Sequence, residues 1–146
     1  MLFARLAVCC LLLAALSACA ASRRTADGNA GGPSLDELAG RTYYLVSMDG
    51  KSVEGAIALE LSFEEGRVTG RACNRFSGTA KIANGTLTVK NAASTRMACF
   101  QPFLNELEQR LADMLQNGAR LILEGRQLTL TRDGHTLTYA LPSPKP

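Results

Sequence analysis

The sequence predicts a mainly β domain with one packed α-helix. From Leu38 onward, short segments in which apolar and polar residues alternate are separated by turn residues. Asn84-Gly85, between two of these segments, is a strong hairpin signal. Apolar residues take the spacing of a helix between Pro102 and Asn117. Together these patterns predict strands, then a helix, then a closing β-meander.

Turn pairs such as Asp49-Gly50 and Glu65-Gly66 mark the ends of the predicted strands. In the third strand, alternation places Cys73 on the polar face, so a buried cystine there would require a bulge at Gly70. The predicted strands are Arg41–Met48, Ala58–Phe63, Arg67–Cys73, Ser77–Ala83, Thr86–Lys90, Arg120–Leu123, Gln127–Thr131 and Thr136–Leu141.

The predicted helix begins near Pro102, which suits a first turn, and ends before Gly118, which suits a C-terminal cap. An amphipathic helix can bind a membrane or a partner, but packing on the sheet is the favoured interpretation. Its apolar stripe contains Leu104, Leu107, Leu111, Met114 and Leu115.

The N-terminus resembles a bacterial lipoprotein signal. Arg5 precedes an apolar run that is shorter than the roughly twenty residues of a transmembrane helix. Small residues follow the run and lead to Cys19. An ordinary secretory signal and a transmembrane anchor are the alternatives. We predict a signal peptide over 1–18, a lipidated Cys19, a flexible Ala-, Gly- and Ser-rich tether over 19–34 and a folded domain over 35–142.

Acylation of Cys19 would attach the protein to a membrane through its lipid. Ala20 follows, where lipoproteins retained at the inner membrane of enteric-type bacteria carry aspartate. We therefore expect the protein at the periplasmic face of the outer membrane.

Loss of the signal leaves Cys73 and Cys99 as the only thiols, because Cys9 and Cys10 are removed and Cys19 is acylated. An even pair in an exported domain favours a disulfide. Two buried thiols or a reactive pair are the alternatives, although the spacing lacks the C-x-x-C pattern of redox catalysts.

The sequence predicts neither catalytic nor cofactor chemistry. His135 is the only histidine and falls in a predicted turn, so a histidine-based triad or a multi-histidine metal site is not expected. The acidic residues are scattered, and the glycine-rich segments lack the P-loop pattern. The formal charge of +3 reflects a small basic excess spread along the chain, which does not imply nucleic acid.

Two segments carry a resemblance to the META/HslJ domain family. They are Ala72-Cys73-Asn74-Arg75-Phe76-Ser77-Gly78 and Ala93-Ser94-Thr95-Arg96-Met97-Ala98-Cys99, followed by Asn105-Glu106-Leu107. The likeness extends from about Leu38 to Leu141. It implies a small antiparallel β-barrel of lipocalin-like architecture with one packed helix, in a heat-shock lipoprotein, and it does not imply an enzyme.

The resemblance leaves two interpretations of the motif residues. In a structural role, Asn74 suits a turn, Met97 the core, and Arg96 a charge that bridges backbone carbonyls. In a functional role, Asn74, Arg75 and Arg96 form a surface patch for a partner beside the disulfide. The structural interpretation is preferred.

The sequence favours an outer-membrane lipoprotein that supports envelope integrity or stress resistance by binding an envelope partner. One alternative is a carrier of small apolar ligands, which needs an unfilled barrel. Leu59, Leu61, Leu128 and Leu130 would count against a carrier if they fill the interior. The other alternative is a protein inhibitor, for example of lysozyme, which needs a projecting loop.

Overall fold

The computed structural model of the chain describes residues 31–53 and 59–143. The predicted signal, Cys19 and most of the predicted tether lie outside the described residues. The first described residues already contact the domain. Pro33 is buried, and Gly32 lies so close to Gly85 that a Cβ on Gly32 would come within 2.7 Å of the Gly85 Cα.

Eight antiparallel strands form a closed β-barrel, and the two-residue β2 pairs with the end of β1. Each remaining strand pairs with the next along the chain, and β1 pairs with β9 to close the barrel. The predicted mainly β fold is therefore confirmed. The strands are β1 (Arg41–Met48), β2 (Lys51–Ser52), β3 (Glu60–Glu64), β4 (Arg67–Arg71), β5 (Arg75–Ala83), β6 (Thr86–Ser94), β7 (Ala119–Glu124), β8 (Gln127–Arg132) and β9 (His135–Ala140).

The hairpin predicted at Asn84-Gly85 joins β5 to β6. Both residues have positive φ, 50° and 72°, the combination that the twist of a two-residue hairpin requires. β6 continues four residues beyond the predicted end at Lys90, because Ala93 and Ser94 pair with Ser77 and Phe76 after a register shift. Asn91, with φ of 52°, lies at this shift, and no apolar alternation marks the extension.

Two short elements were not expected from the sequence pattern. One is β2, and the other is the one-turn helix α1 (Leu35–Leu38). Ser34 begins α1 with a capping box, in which its hydroxyl accepts from the Glu37 N–H and the Glu37 carboxylate accepts from the Ser34 N–H. This cap holds buried Leu38 against the core.

The long helix α2 (Pro102–Asn117) has the predicted bounds and buries the predicted apolar stripe. It contacts Asp49 between β1 and β2, Asn74 between β4 and β5, and Arg132 at the end of β8. Because these residues surround one mouth of the barrel, α2 lies across that mouth.

Side chains fill the barrel interior. Leu59 is 5% exposed, and Leu61, Leu128 and Leu130 are fully buried. Burial raises the pKa of the Tyr139 hydroxyl. Among the described residues, no helix is both long and apolar enough to cross a bilayer.

Candidate functional site

The two motif segments meet where α2 joins the barrel. The structure bonds Cys73 to Cys99, with the Sγ atoms 2.15 Å and the Cα atoms 5.9 Å apart. β4 ends at Arg71, so Cys73 belongs to the bend after the strand, and the register of β4 shows no bulge at Gly70. Gly70 instead makes room for an aromatic ring, since a Cβ there would lie 2.3 Å from the Phe76 Cζ.

Asn74 organises this region from a buried position, with 6% of its surface exposed. Its Nδ2 donates to the Met97 carbonyl at 3.2 Å and to Glu108 Oε2 at 2.8 Å. Its Oδ1 accepts from the Met97 N–H at 2.7 Å and from the Thr95 hydroxyl at 2.8 Å. One side chain thereby fixes the loop before α2 and the helix itself.

Glu108 is the partner that the sequence analysis missed. Its carboxylate accepts hydrogen bonds from both the backbone N–H and the Nδ2 of Asn74. On α2 it lies between Leu104 and Leu111, at helical spacings of four and three residues, and so borders the buried stripe. An acidic residue beside an apolar stripe is the signal that could have indicated a polar partner inside. We call Cys73, Asn74, Thr95, Met97, Cys99 and Glu108 the stapled junction.

The stapled junction also contains three side chains of the types that bind metal ions. One ligand atom each from Cys73, Cys99 and Glu108 lies within 4.8 Å of the others. Zinc binds cysteine as the free thiolate, and the disulfide engages both sulfurs. In the described oxidised form these residues therefore do not supply a zinc ligand set.

The structure separates the residues of the predicted partner patch. Asn74 is buried, whereas Arg75 and Arg96 are exposed. The Arg75 N–H donates at 3.1 Å to the hydroxyl of Thr95, the residue before Arg96. The patch as predicted is wrong in including Asn74, because its amide is fully engaged within the protein.

Two other expectations for the motif are wrong. Met97 is 60% exposed and lies outside the core, and the adjacent Phe100 is 98% exposed. The Arg96 side chain makes no hydrogen bond within residues 31–53 and 59–143, so the bridge to backbone carbonyls is not present there. The loop between β6 and α2 therefore exposes two large apolar side chains and the cation of Arg96.

A second polar group holds α2 on the opposite side of the mouth. Arg110 Nη1 lies 2.5 Å from Asp49 Oδ2, and Arg110 Nη2 lies 2.5 Å from Glu106 Oε1. His135, the first residue of β9, contacts both Arg110 and Asp49. We call Asp49, Glu106, Arg110 and His135 the ionic junction.

Hydrogen bonds and a neighbouring charge lower the pKa of the Asp49 carboxyl in the ionic junction. The Thr136 N–H donates to Asp49 Oδ1 at 2.8 Å, and this bond holds the pKa of the carboxyl below its ordinary value. The hydrogen bond from His135 and the charge of Arg110 lower it further, while partial burial opposes them.

Two open crevices flank α2. One, of about 460 Å³, lies beside the ionic junction and is lined by Met48, Lys51 and Phe103 among others. The other, of about 300 Å³, lies beside the stapled junction between α2 and the strands, with Ala72, Phe76 and Leu115 in its lining. Both lie at the rim of the barrel, since core side chains fill its interior.

Comparison with known proteins places these features in a family context. The sequence pattern of the META domain matches residues 36–143. Heat shock protein HslJ of Escherichia coli (strain K12) is 44% identical over 108 residues, which span 73% of this chain and 77% of that protein.

Two solved structures share the fold. A protein structure determined by NMR is 42% identical, has a TM-score of 0.69, and is matched over 75% of this chain and 95% of its own. A second NMR structure, of a protein from Burkholderia xenovorans, is 21% identical with a TM-score of 0.58, over 75% of this chain and 87% of its own. The second likeness concerns the fold alone.

Proposed function

Because this chain belongs to the META domain family, we propose that it is a stress-related protein of the bacterial envelope that acts by binding rather than by catalysis. One observation carries the proposal: the chain is 44% identical over 108 residues to an Escherichia coli protein named heat shock protein HslJ. The family pattern covers residues 36–143 and so includes the stapled junction.

We further propose that the protein is anchored at the periplasmic face of the outer membrane through an acylated Cys19. The support is the order of Arg5, the apolar run and the small residues before Cys19. A disulfide between Cys73 and Cys99 is in keeping with that compartment, which is oxidising.

The filled interior argues against the carrier alternative. Leu59, Leu61 and Leu128 occupy the space that an enclosed apolar ligand would need. The rim crevices are open, whereas carriers bury most of the ligand surface.

The inhibitor alternative has one specific observation in its favour. The loop between β6 and α2 is fixed at both ends by the stapled junction and presents Phe100 with 98% of its surface exposed. An exposed aromatic side chain on a loop is the kind of element that inserts into a partner's pocket. If the unacylated chain slows lysozyme and Phe100→Ser removes the effect, this alternative replaces the envelope role.

The envelope role is tested by the uptake of an apolar fluorescent probe in a deletion strain at normal and raised temperature. The strain is complemented with the wild type, with Cys19→Ala, or with Cys10→Ala as a matched control inside the predicted signal. We expect deletion to raise uptake, most at high temperature. The wild type and Cys10→Ala should restore the barrier, whereas Cys19→Ala should not.

Immunoblots of membrane and soluble fractions accompany the uptake assay, so that loss of protein is separated from loss of anchoring. Uptake that is unchanged on deletion would exclude a role in the envelope barrier. Full restoration by a soluble Cys19→Ala protein would exclude the need for an anchor.

A further inference from the structure

The positive charge of the chain is concentrated in one stretch of sequence. Between Glu65 and Glu106 there is no acidic residue, whereas six basic residues occur there. The basic and acidic residues are therefore unevenly distributed along the chain, although the net charge is small. The expectation that the basic excess is spread along the chain is wrong. The six are Arg67, Arg71, Arg75, Lys81, Lys90 and Arg96.

The fold brings these side chains to one outer surface of the barrel. Arg67 and Arg71 lie on the exposed face of β4, Arg75 and Lys81 on that of β5, and Lys90 is exposed on β6. Arg96 follows β6 and is exposed. We call this set of six the basic face. It is bordered on β3 by Glu60 and Glu64, which pair in register with Arg71 and Arg67.

Two cations of the basic face lie opposite each other on neighbouring strands, an arrangement that lowers the stability of the fold. Arg71 and Arg75 are direct cross-strand partners, and like charges in that position destabilise a sheet. Within the described residues, none of the six cations has an acidic oxygen within 4.0 Å, although Arg67 donates to the Ser77 hydroxyl at 3.2 Å. An external anion would relieve the repulsion.

Exposed apolar side chains lie at one end of the basic face. Thr95 exchanges hydrogen bonds with the backbone of Arg75, at 3.0 and 3.1 Å, so the loop bearing Met97 and Phe100 begins beside Arg75. Met97 is 60% and Phe100 98% exposed. Cations beside exposed apolar groups are typical of surfaces that meet the headgroup region of a membrane.

The N-terminal chain reaches the domain at the other end of the same face. Gly32 packs on Gly85, in the turn between β5 and β6. The segment that leads back to Cys19 therefore meets the barrel at a strand pair that carries the cations.

From these observations we propose that the basic face docks on a membrane leaflet rich in anionic phospholipid, with Phe100 and Met97 entering the headgroup region. The contact adds to the proposed acyl anchor and does not depend on it, so the two are tested separately.

The test uses residues 19–146 with Cys19→Ser, which cannot be acylated. A 42%-identical domain solved by NMR, of which this match covers 95%, indicates that such a domain folds on its own. Sedimentation with vesicles measures the partition coefficient at low and high salt. One vesicle set contains phosphatidylglycerol and phosphatidylethanolamine, and the other contains phosphatidylcholine alone.

We expect binding to the anionic vesicles that weakens with salt, and little binding to the neutral ones. Changing Arg71, Arg75 and Arg96 to Gln should lower the partition coefficient about fivefold for each cation, or about a hundredfold together. The matched control changes three exposed cations on other elements, with the same loss of charge, and should have a much smaller effect. The control residues are Arg41, Lys51 and Arg126.

Phe100→Ser should lower the partition coefficient about tenfold and leave its salt dependence unchanged, because it removes apolar contact and no charge. Circular dichroism verifies that every variant is folded. Equal binding to both vesicle types, or equal losses in the two triple variants, would overturn the proposal. So would binding to soluble polyphosphate by a chain that leaves the vesicles free.

Discussion

The two junctions that hold α2 across the barrel mouth are built on opposite principles. The stapled junction combines a disulfide with a buried Asn74 whose amide is fully hydrogen-bonded. The ionic junction is partly open to water, with 19% of the Arg110 side chain, 33% of the Asp49 side chain and 49% of the His135 side chain exposed. The comparison teaches that burial, more than the number of polar contacts, determines how much each junction contributes to the stability of the fold.

The physical reason is the free-energy cost of leaving a polar group without its partner. If a partner of a buried polar group is removed, the group left behind has neither protein nor water to bond, at a cost of about 1–3 kcal/mol. An exposed ion pair that is broken is rehydrated, and such pairs contribute about 0–1 kcal/mol.

The largest effect is expected from removal of the disulfide. The bond links residues 26 positions apart, and chain entropy predicts that Cys73→Ala with Cys99→Ala lowers the free energy of unfolding by roughly 3–4 kcal/mol. Urea denaturation of the double variant measures the loss. Addition of a reductant should destabilise the wild type and leave the variant unchanged; equal sensitivity to the reductant would show that no disulfide forms.

The next effect is expected from Asn74→Ala. The change deprives the partly buried Glu108 carboxylate and the Met97 backbone of their bonds to buried Asn74, so we expect a loss of about 2–3 kcal/mol in denaturant unfolding. Asn105→Ala is the matched control, since exposed Asn105 donates a single bond at 3.0 Å to the Cys99 carbonyl. The control should lose under about 1 kcal/mol. Equal losses would refute the weight that we give to burial.

The smallest effect is expected at the ionic junction and depends on pH. Asp49→Asn keeps an acceptor for the Thr136 N–H but removes the charge, so the loss at pH 7 should not exceed about 1 kcal/mol. The pKa of Asp49 is lowered in the folded state, so its contribution is present above the ordinary aspartate pKa of about 4 and is lost as the pH falls below it. The free energies of unfolding of wild type and variant should therefore converge once the pH is low enough to protonate Asp49 in the folded state. A gap that persists there would assign the effect to something other than the charge.

Local sequence patterns predicted the helices and strands well, because backbone geometry determines the period at which side chains return to the same face. The bounds of β1 and α2 agree with the expectation from Arg41–Met48 and Pro102–Asn117. The β6 extension and β2 lacked a local signal, since they depend on pairing with strands formed elsewhere in the chain.

The candidate site could be predicted only in part. The Cys73 and Cys99 pairing was a hypothesis from the residue count and compartment, and the structure places the two together. The role of Glu108 and the exposure of Met97 were missed, because both depend on contacts with Asn74 that are distant in sequence. Glu108 lies 34 residues and Met97 23 residues from Asn74. Such separations carry no periodicity that a single sequence reveals.

The most direct test of the contrast is a pair of double-mutant cycles measured by urea denaturation at pH 7. One cycle combines Asn74→Ala with Glu108→Ala, and the other combines Asp49→Ala with Arg110→Ala. We predict a coupling energy of at least about 1 kcal/mol for the more buried pair, Asn74 with Glu108, and under about 0.5 kcal/mol for the more exposed pair, Asp49 with Arg110. Additive effects in the buried pair, or a larger coupling in the exposed pair, would contradict the account.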